Sequence, residues 1–359
     1  MKKYFSKLAP IFKFNPCQRV WQLPFFAALG VGLILSVAMF FQRMDYGLIA
    51  ILGVAAFLYV PNTPMHHRMA VVMCVSFGIS LSFFLGLLAH LSPVLTPFVV
   101  AFVAACSSIL VRYYDLGAPG YFFFVFACIL GTFLPFEVKD FITLIGLICL
   151  GTMVANVMAF LYSLSVIYVF KNSLPSEVPP RGHLGFNTTV VDSLIMGAFV
   201  GFAMFLGSFL SLERSYWVGV SCTAVMQGIS VSAIWIKQFQ RIIGTFIGAI
   251  FAWFLLKIHF SPIAFILLMM FLMFMTEYVV FKNYALAMVF ITPYVTYLVE
   301  SATSMSYDAD LITKARFIDV ALGSILGLLG GYVMYNQKLR IYFLHFAHKI
   351  FKFKNNKFT

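Results

Sequence analysis

The chain carries few charges, so the polar residues that interrupt its apolar runs are where chemistry would sit. An ionisable group inside a membrane span is costly and is by default a functional candidate. Glu277, in Met275-Thr276-Glu277-Tyr278, and Asp319 are the carboxyls so placed, and both are candidates for proton coupling. Glu277 lies close to Lys282, so a position near the interface beside a cation is the alternative. Arg316 and Asp319 stand three residues apart on one helical face. They form either an intrahelical ion pair or a cation that holds an anion beside a carboxyl that exchanges protons. Arg241, at a helix end, either snorkels to lipid phosphates or lines a mouth that attracts anions.

Uncharged polar residues add weaker signals. Gly219, Thr223, Gln227 and Ser230 make one stripe on a helix, facing either a neighbouring helix or a hydrated pathway. Pro293 removes the donor for the Val289 carbonyl, and Thr292 and Thr296 flank it as substitute donors. Gly244, Thr245, Gly248 and Ala252 present small residues every turn, the pattern of close helix packing, with Thr245 able to hydrogen-bond across the contact. Asp192 reads as an acid near a helix N-terminus, where the macrodipole favours it. Asn156 and Thr152 make a further polar pair.

Enzymatic signatures are missing. His66 and His67 have no carboxylate or cysteine at ligand spacing, and the six cysteines are scattered. No Walker loop, nucleophile elbow, HExxH or dinucleotide fingerprint occurs. No enzyme activity, cofactor or metal is expected.

The elements that must position these residues follow from composition. The 359 residues are 62% hydrophobic and only 10% charged, against about 25% charged in a soluble domain. Lipid is the matching solvent. Apolar runs without strand-like alternation argue for helices over a barrel. The expected fold is an all-α integral membrane protein of about twelve transmembrane helices. Six spans fall at 22–41, 46–60, 69–91, 93–112, 119–136 and 141–170. Six more fall at 191–212, 216–234, 240–258, 261–281, 284–300 and 313–336. The resulting units are a basic amphipathic segment (1–21), a six-helix repeat (22–170), a proline-bearing cytoplasmic linker (171–190), a second six-helix repeat (191–336) and a basic amphipathic tail (337–359). The linker is too short to form a soluble domain.

With twelve spans, 18 of the 24 Lys and Arg residues collect on one side, which places both termini in the cytoplasm by the positive-inside rule. The net charge of +12 is then a topology signal and requires no nucleic acid. The basic segments 2–14 and 338–354 fit amphipathic helices lying on anionic lipid. A homo-oligomer or a partner subunit is compatible with the sequence.

The halves echo each other. Tyr46 and Tyr216 open corresponding spans, and Arg68 and Arg241 begin glycine-bearing ones. Asp140, Phe141, Gly146 and Gly151 match Arg316, Phe317, Gly323 and Gly327. An even number of spans per half makes two parallel repeats with a pathway between them. The first half lacks the polar stripe of the second.

Four passages resemble the fusaric-acid-resistance / aromatic-acid exporter family of bacterial inner-membrane proteins. They are Tyr216-Trp217 through Gln227 and Ser230; Arg241, Gly244, Thr245 and Gly248; Asn283-Tyr284-Ala285 through Thr292; and Arg316, Asp319 and Gly323. The resemblance implies energised export of aromatic carboxylic acids and similar organic anions. The expected pathway residues are Arg241, Gln227, Thr223, Ser230, Thr292 and Arg316, with Glu277 or Asp319 coupling to protons. A passive anion channel of the same fold and a non-transport scaffold subunit are the alternatives.

Overall fold

A backbone in lipid must satisfy its own hydrogen bonds, and each apolar run of this chain does so as a helix. The computed structural model describes residues 14, 20–171, 175, 177–178, 186–212, 214–227, 231–302 and 309–336. Most of the N-terminal basic segment, all of the C-terminal tail, most of the linker and Ser230 lie outside the described residues. Twelve α-helices and no strand are found among those described. They are α1 (Gln22–Phe40), α2 (Met44–Val54), α3 (Met65–His90), α4 (Thr96–Tyr113), α5 (Phe122–Phe133), α6 (Phe141–Leu164), α7 (Phe186–Phe209), α8 (Tyr216–Met226), α9 (Val231–Leu256), α10 (Pro262–Val279), α11 (Tyr284–Ala302) and α12 (Ala309–Tyr335). A 3-10 turn over Ala55–Tyr59 extends α2, and a π turn over Ser165–Val169 extends α6.

The twelve expected spans divide into two kinds. Eight helices are long and apolar enough to cross a membrane: α1, α3, α4, α6, α7, α9, α10 and α12. The other four, α2 with its extension, α5, α8 and α11, have shorter apolar stretches among the described residues, 10–17 long; α11 itself runs 19 residues, while α2, α5 and α8 fall short of the roughly 20 that a span needs. The corrections concentrate there. Instead of running to 234, α8 stops at Met226, and α9 begins at Val231, well before the expected 240. Instead of 119–136, α5 covers Phe122–Phe133, and Leu134 turns extended at ψ 128°. Pro135 follows Leu134, and a residue before proline is pushed out of the helical region.

Exposure explains why short helices are tolerated. The long ones turn large apolar side chains outward, for example Phe77 on α3, Phe98 on α4, Ile142 on α6, Phe205 on α7, Phe254 on α9 and Leu329 on α12. Among described large apolar residues, α2, α5 and α8 expose none and α11 only Leu286. These four helices are therefore enclosed by the other eight. Backbone that ends at membrane depth can persist there because protein, and not lipid, covers it.

Each short helix is clasped to a long one by glycine. A Cβ on Gly244 of α9 would fall 2.6 Å from Met288 Cβ of α11, and one on Gly248 would fall 2.8 Å from the Met288 carbonyl oxygen. Gly131 of α5 lies against the Phe83 backbone of α3, Gly151 of α6 against the Ala50 carbonyl of α2, and Gly323 of α12 against the Val218 carbonyl of α8. Between long helices, α4 packs on α7 and α10 on α1. The α4–α7 contact contains an ion pair, Arg112 Nη1 to Asp192 Oδ2 at 3.6 Å, and Ser193 Oγ donates to Ser108 Oγ at 2.9 Å. Asp192 is thus an inter-helix partner inside α7, and the macrodipole reading is corrected. Asn156 Nδ2 likewise joins α6 to α3 by donating to Ser76 Oγ at 2.8 Å.

The short helices meet at their ends. At one end of the bundle, Tyr59 Oη donates to the Gly120 carbonyl at 2.5 Å and Gln227 Nε2 donates to the Pro119 carbonyl at 2.8 Å. At the other, the His90 ring nitrogen is 2.9 Å from the Thr132 carbonyl, and the Phe133 and Tyr216 rings meet at 5.3 Å.

Candidate functional site

The four enclosed helices α2, α5, α8 and α11, with faces of α1, α9, α10 and α12, surround a central cavity of about 640 Å³. Its lining changes character from one half of the chain to the other. The residues contributed before position 127, among them Val31, Ile51, Leu58, Phe122, Phe123 and Phe126, are all apolar. The later residues include Gln227, Lys237, Arg241, Thr276, Glu277 and Arg316. Trp217, Tyr284 and Tyr294 join them, set among apolar residues such as Met273, Ile291 and Leu298.

Arg241 is buried and hydrogen-bonded on two sides. It is 4% exposed, and its Nη1 donates to Tyr284 Oη at 3.0 Å while Nη2 donates to Ser221 Oγ at 3.1 Å. These contacts fix a planar cation between α8 and α11. Among the described residues no carboxylate pairs with it. Lys237 stands one turn earlier on the same face of α9, with Nζ 5.5 Å from the Tyr284 ring centroid. Glu277, buried on α10, lines the same cavity and acts electrostatically on Tyr294.

Arg316 reaches the cavity from α12. Its Nη1 donates to Thr296 Oγ1 at 2.7 Å, and its guanidinium carbon lies 4.0 Å from the Trp217 ring centroid. Trp217, the second residue of the Tyr-Trp pair, so offers a π-face to a cation.

The sequence candidates separate on this geometry. Arg241, Gln227, Glu277 and Arg316 come together around one cavity. Thr223, Thr292 and Asp319 are fully or almost fully buried but do not line it. Thr223 Oγ1 donates to the Gly219 carbonyl at 2.9 Å within α8, Thr292 lies against Gly248, and Ser230 falls outside the described residues. The expected stripe is broken because α8 ends before Gln227, which sits in the following turn. Thr296 Oγ1 donates to the Thr292 carbonyl at 2.7 Å, and Thr292 Oγ1 has no hydrogen-bond partner, so neither hydroxyl replaces the donor lost at Pro293. Thr245 Oγ1 is also without a hydrogen bond, so the glycine-rich contact with α11 is made by shape.

Lys237, Tyr294 and the phenylalanines of α5 are cavity residues that the sequence did not single out, and Tyr284 stood out only within the family-like passage of α11. The four-residue step from Lys237 to Arg241 was the available signal. Among the described residues no group of three His, Cys, Asp or Glu is placed to hold a metal ion.

Residues 202–330 match the family described as fusaric acid resistance protein-like. The chain carries a fusaric acid resistance-like region. Every charged residue of the cavity lies within this region, and so do Gln227, Trp217, Tyr284 and Tyr294. The apolar wall lies outside it. An uncharacterized membrane protein of Bacillus subtilis (strain 168), YvaC, is 34% identical over 152 residues. That stretch is 40% of this chain and 23% of the relative, so the chain spans less than a quarter of that protein's length. No solved structure matches the chain.

Proposed function

We propose that this multi-pass membrane protein transports organic anions with an apolar, aromatic body outward across a bacterial inner membrane, through the central cavity. The observation that carries the reading is the two-faced lining: three cations and one carboxylate on one wall, aromatic and aliphatic side chains on the other. A carboxylate leaving water loses hydration, and a preorganised guanidinium replaces it with charge-assisted hydrogen bonds. The aromatic body recovers apolar burial against Phe122, Phe123 and Phe126. The fusaric acid resistance-like character of residues 202–330 supports this substrate class.

Two parallel six-helix repeats make the scaffold in this reading. The packing of α2 on α6, α3 on α5 and α4 on α7 recurs as α8 on α12, α9 on α11 and α10 on α1, which supports a two-fold relation along the membrane normal. Both termini are cytoplasmic by the excess of Lys and Arg at that end, and the basic tails lie on anionic lipid.

Glu277 exchanges the coupling proton, because its charge alters the net charge that a bound anion meets. Proton-driven uptake of an aromatic acid into acidified inverted vesicles tests this. Glu277→Gln abolishes the uptake, whereas Asp319→Asn, off the cavity, has the smaller effect. Uptake by Glu277→Gln that is unchanged and simply follows the substrate gradient would instead establish a passive anion channel.

A further inference from the structure

A second chamber of about 360 Å³ lies beside the central cavity. Leu58, Ala118 and Phe281 line both, so the two adjoin through these three side chains. The chamber sits at the end of the bundle where α2 stops, α3 starts and α10 meets α11. Its rim includes the exposed residues Val20, Asn62 and Phe281. The rest of its wall is apolar except for Tyr162 and one cation, Arg68.

Arg68 is 2% exposed. Its Nη1 donates to Ser163 Oγ at 3.2 Å and its guanidinium carbon lies 5.6 Å from the Tyr162 ring centroid. Its Nε has no hydrogen-bond partner, and among the described residues no carboxylate lies within ion-pair distance. A guanidinium carries five donors, and burying one without a counter-charge is costly. Anchoring α3 to α6 would need only the one neutral bond to Ser163. A charged group with little exposed surface is an expensive way to obtain it.

We propose that Arg68 is a second anion-binding position, which takes the carboxylate or phosphate group of an amphipathic anion in a side chamber between the central cavity and the bundle end. The apolar part of the ligand rests on Leu23, Leu58 and Phe281, and the guanidinium fork takes the anionic oxygens. The site stands on its own geometry. As a waiting position on a transport route it rests on the function proposed above. An anionic lipid headgroup and a free carboxylate share this chemistry.

Equilibrium dialysis of radiolabelled benzoate against the full chain in phosphatidylcholine nanodiscs tests the proposal. Two arginine-dependent sites are expected. Arg68→Gln removes one and Arg241→Gln the other. Arg68→Lys keeps the charge but loses the fork, and weakens its site about tenfold. This variant decides the matter if Arg68→Gln does not fold. Ser163→Ala lowers thermal stability but leaves the site occupied. Adding phosphatidylglycerol to the nanodiscs separates the sources: loss of the Arg68-dependent benzoate assigns the chamber to lipid, and retention assigns it to the free anion. Benzoate binding that is the same in wild type and Arg68→Lys would overturn the proposal. If Arg68-dependent binding is present but vesicles take up no aromatic acid, the transport reading fails and the chamber stands.

Discussion

The two walls of the central cavity come from two halves of one chain, and they solve different problems. The first-half wall, from α1, α2 and α5, is apolar throughout and includes the phenylalanines that open α5. The second-half wall, from α8 to α12, concentrates Lys237, Arg241, Glu277 and Arg316. Both halves hold their short helices by the same device, a glycine pressed against a neighbouring backbone, at Gly131 on α5 and at Gly244 on α9. Scaffold and chemistry are therefore separable: similar helix pairings carry unlike linings. The arginines show the same division. Arg241 bridges α8 and α11 beside the cavity, while Arg68 turns to Ser163 and Tyr162 in its own half.

If the charged wall recognises the anion, Arg241→Gln carries the largest penalty. Transport efficiency for an aromatic acid should fall by about 100-fold, the cost of losing hydrogen bonds to a charged group, with folding preserved as judged by detergent-solubilised monodispersity. Next comes the clasp that holds this wall. Gly244→Val forces a side chain into the Ala285 backbone and Met288 and should destabilise the protein by about 2 kcal/mol. Thermal unfolding in detergent measures it, and an unchanged midpoint would show that α9 and α11 can separate freely. The smallest effect belongs to the apolar wall: Phe123→Ala should weaken binding of an aromatic acid about fivefold, the scale of one aromatic contact.

Much of this fold was readable from hydropathy. The bounds of α1 and α10 agree within two residues with the expected 22–41 and 261–281, because charges or prolines punctuate both. The break between α8 and α9 was not readable. No proline or charge interrupts Gln227-Gly228-Ile229-Ser230, and the enclosed position of α8 removes the outward apolar stripe that gives a helix its phase. With every described residue of α8 from Tyr216 to Met226 buried, a polar stripe on it could not distinguish a cavity face from a packing face. Arg241 and Glu277 stand out in the sequence because charge in lipid needs a reason. Asp319 was identified by the same rule, yet it lies off the cavity. Separating the two carboxyls required the rotation of α10 and α12 about their axes, which a neighbouring helix sets and a linear pattern does not contain.

If the second-half wall reads charge while the first-half wall reads shape, charged and neutral ligands of one outline must separate them. Binding of benzoate and of its neutral isostere benzamide to wild type, Arg241→Gln and Phe123→Ala tests it directly. Wild type should prefer benzoate by at least about tenfold. The preference should collapse in Arg241→Gln and survive in Phe123→Ala, where both ligands weaken together. A preference for benzoate that is undiminished in Arg241→Gln would contradict it.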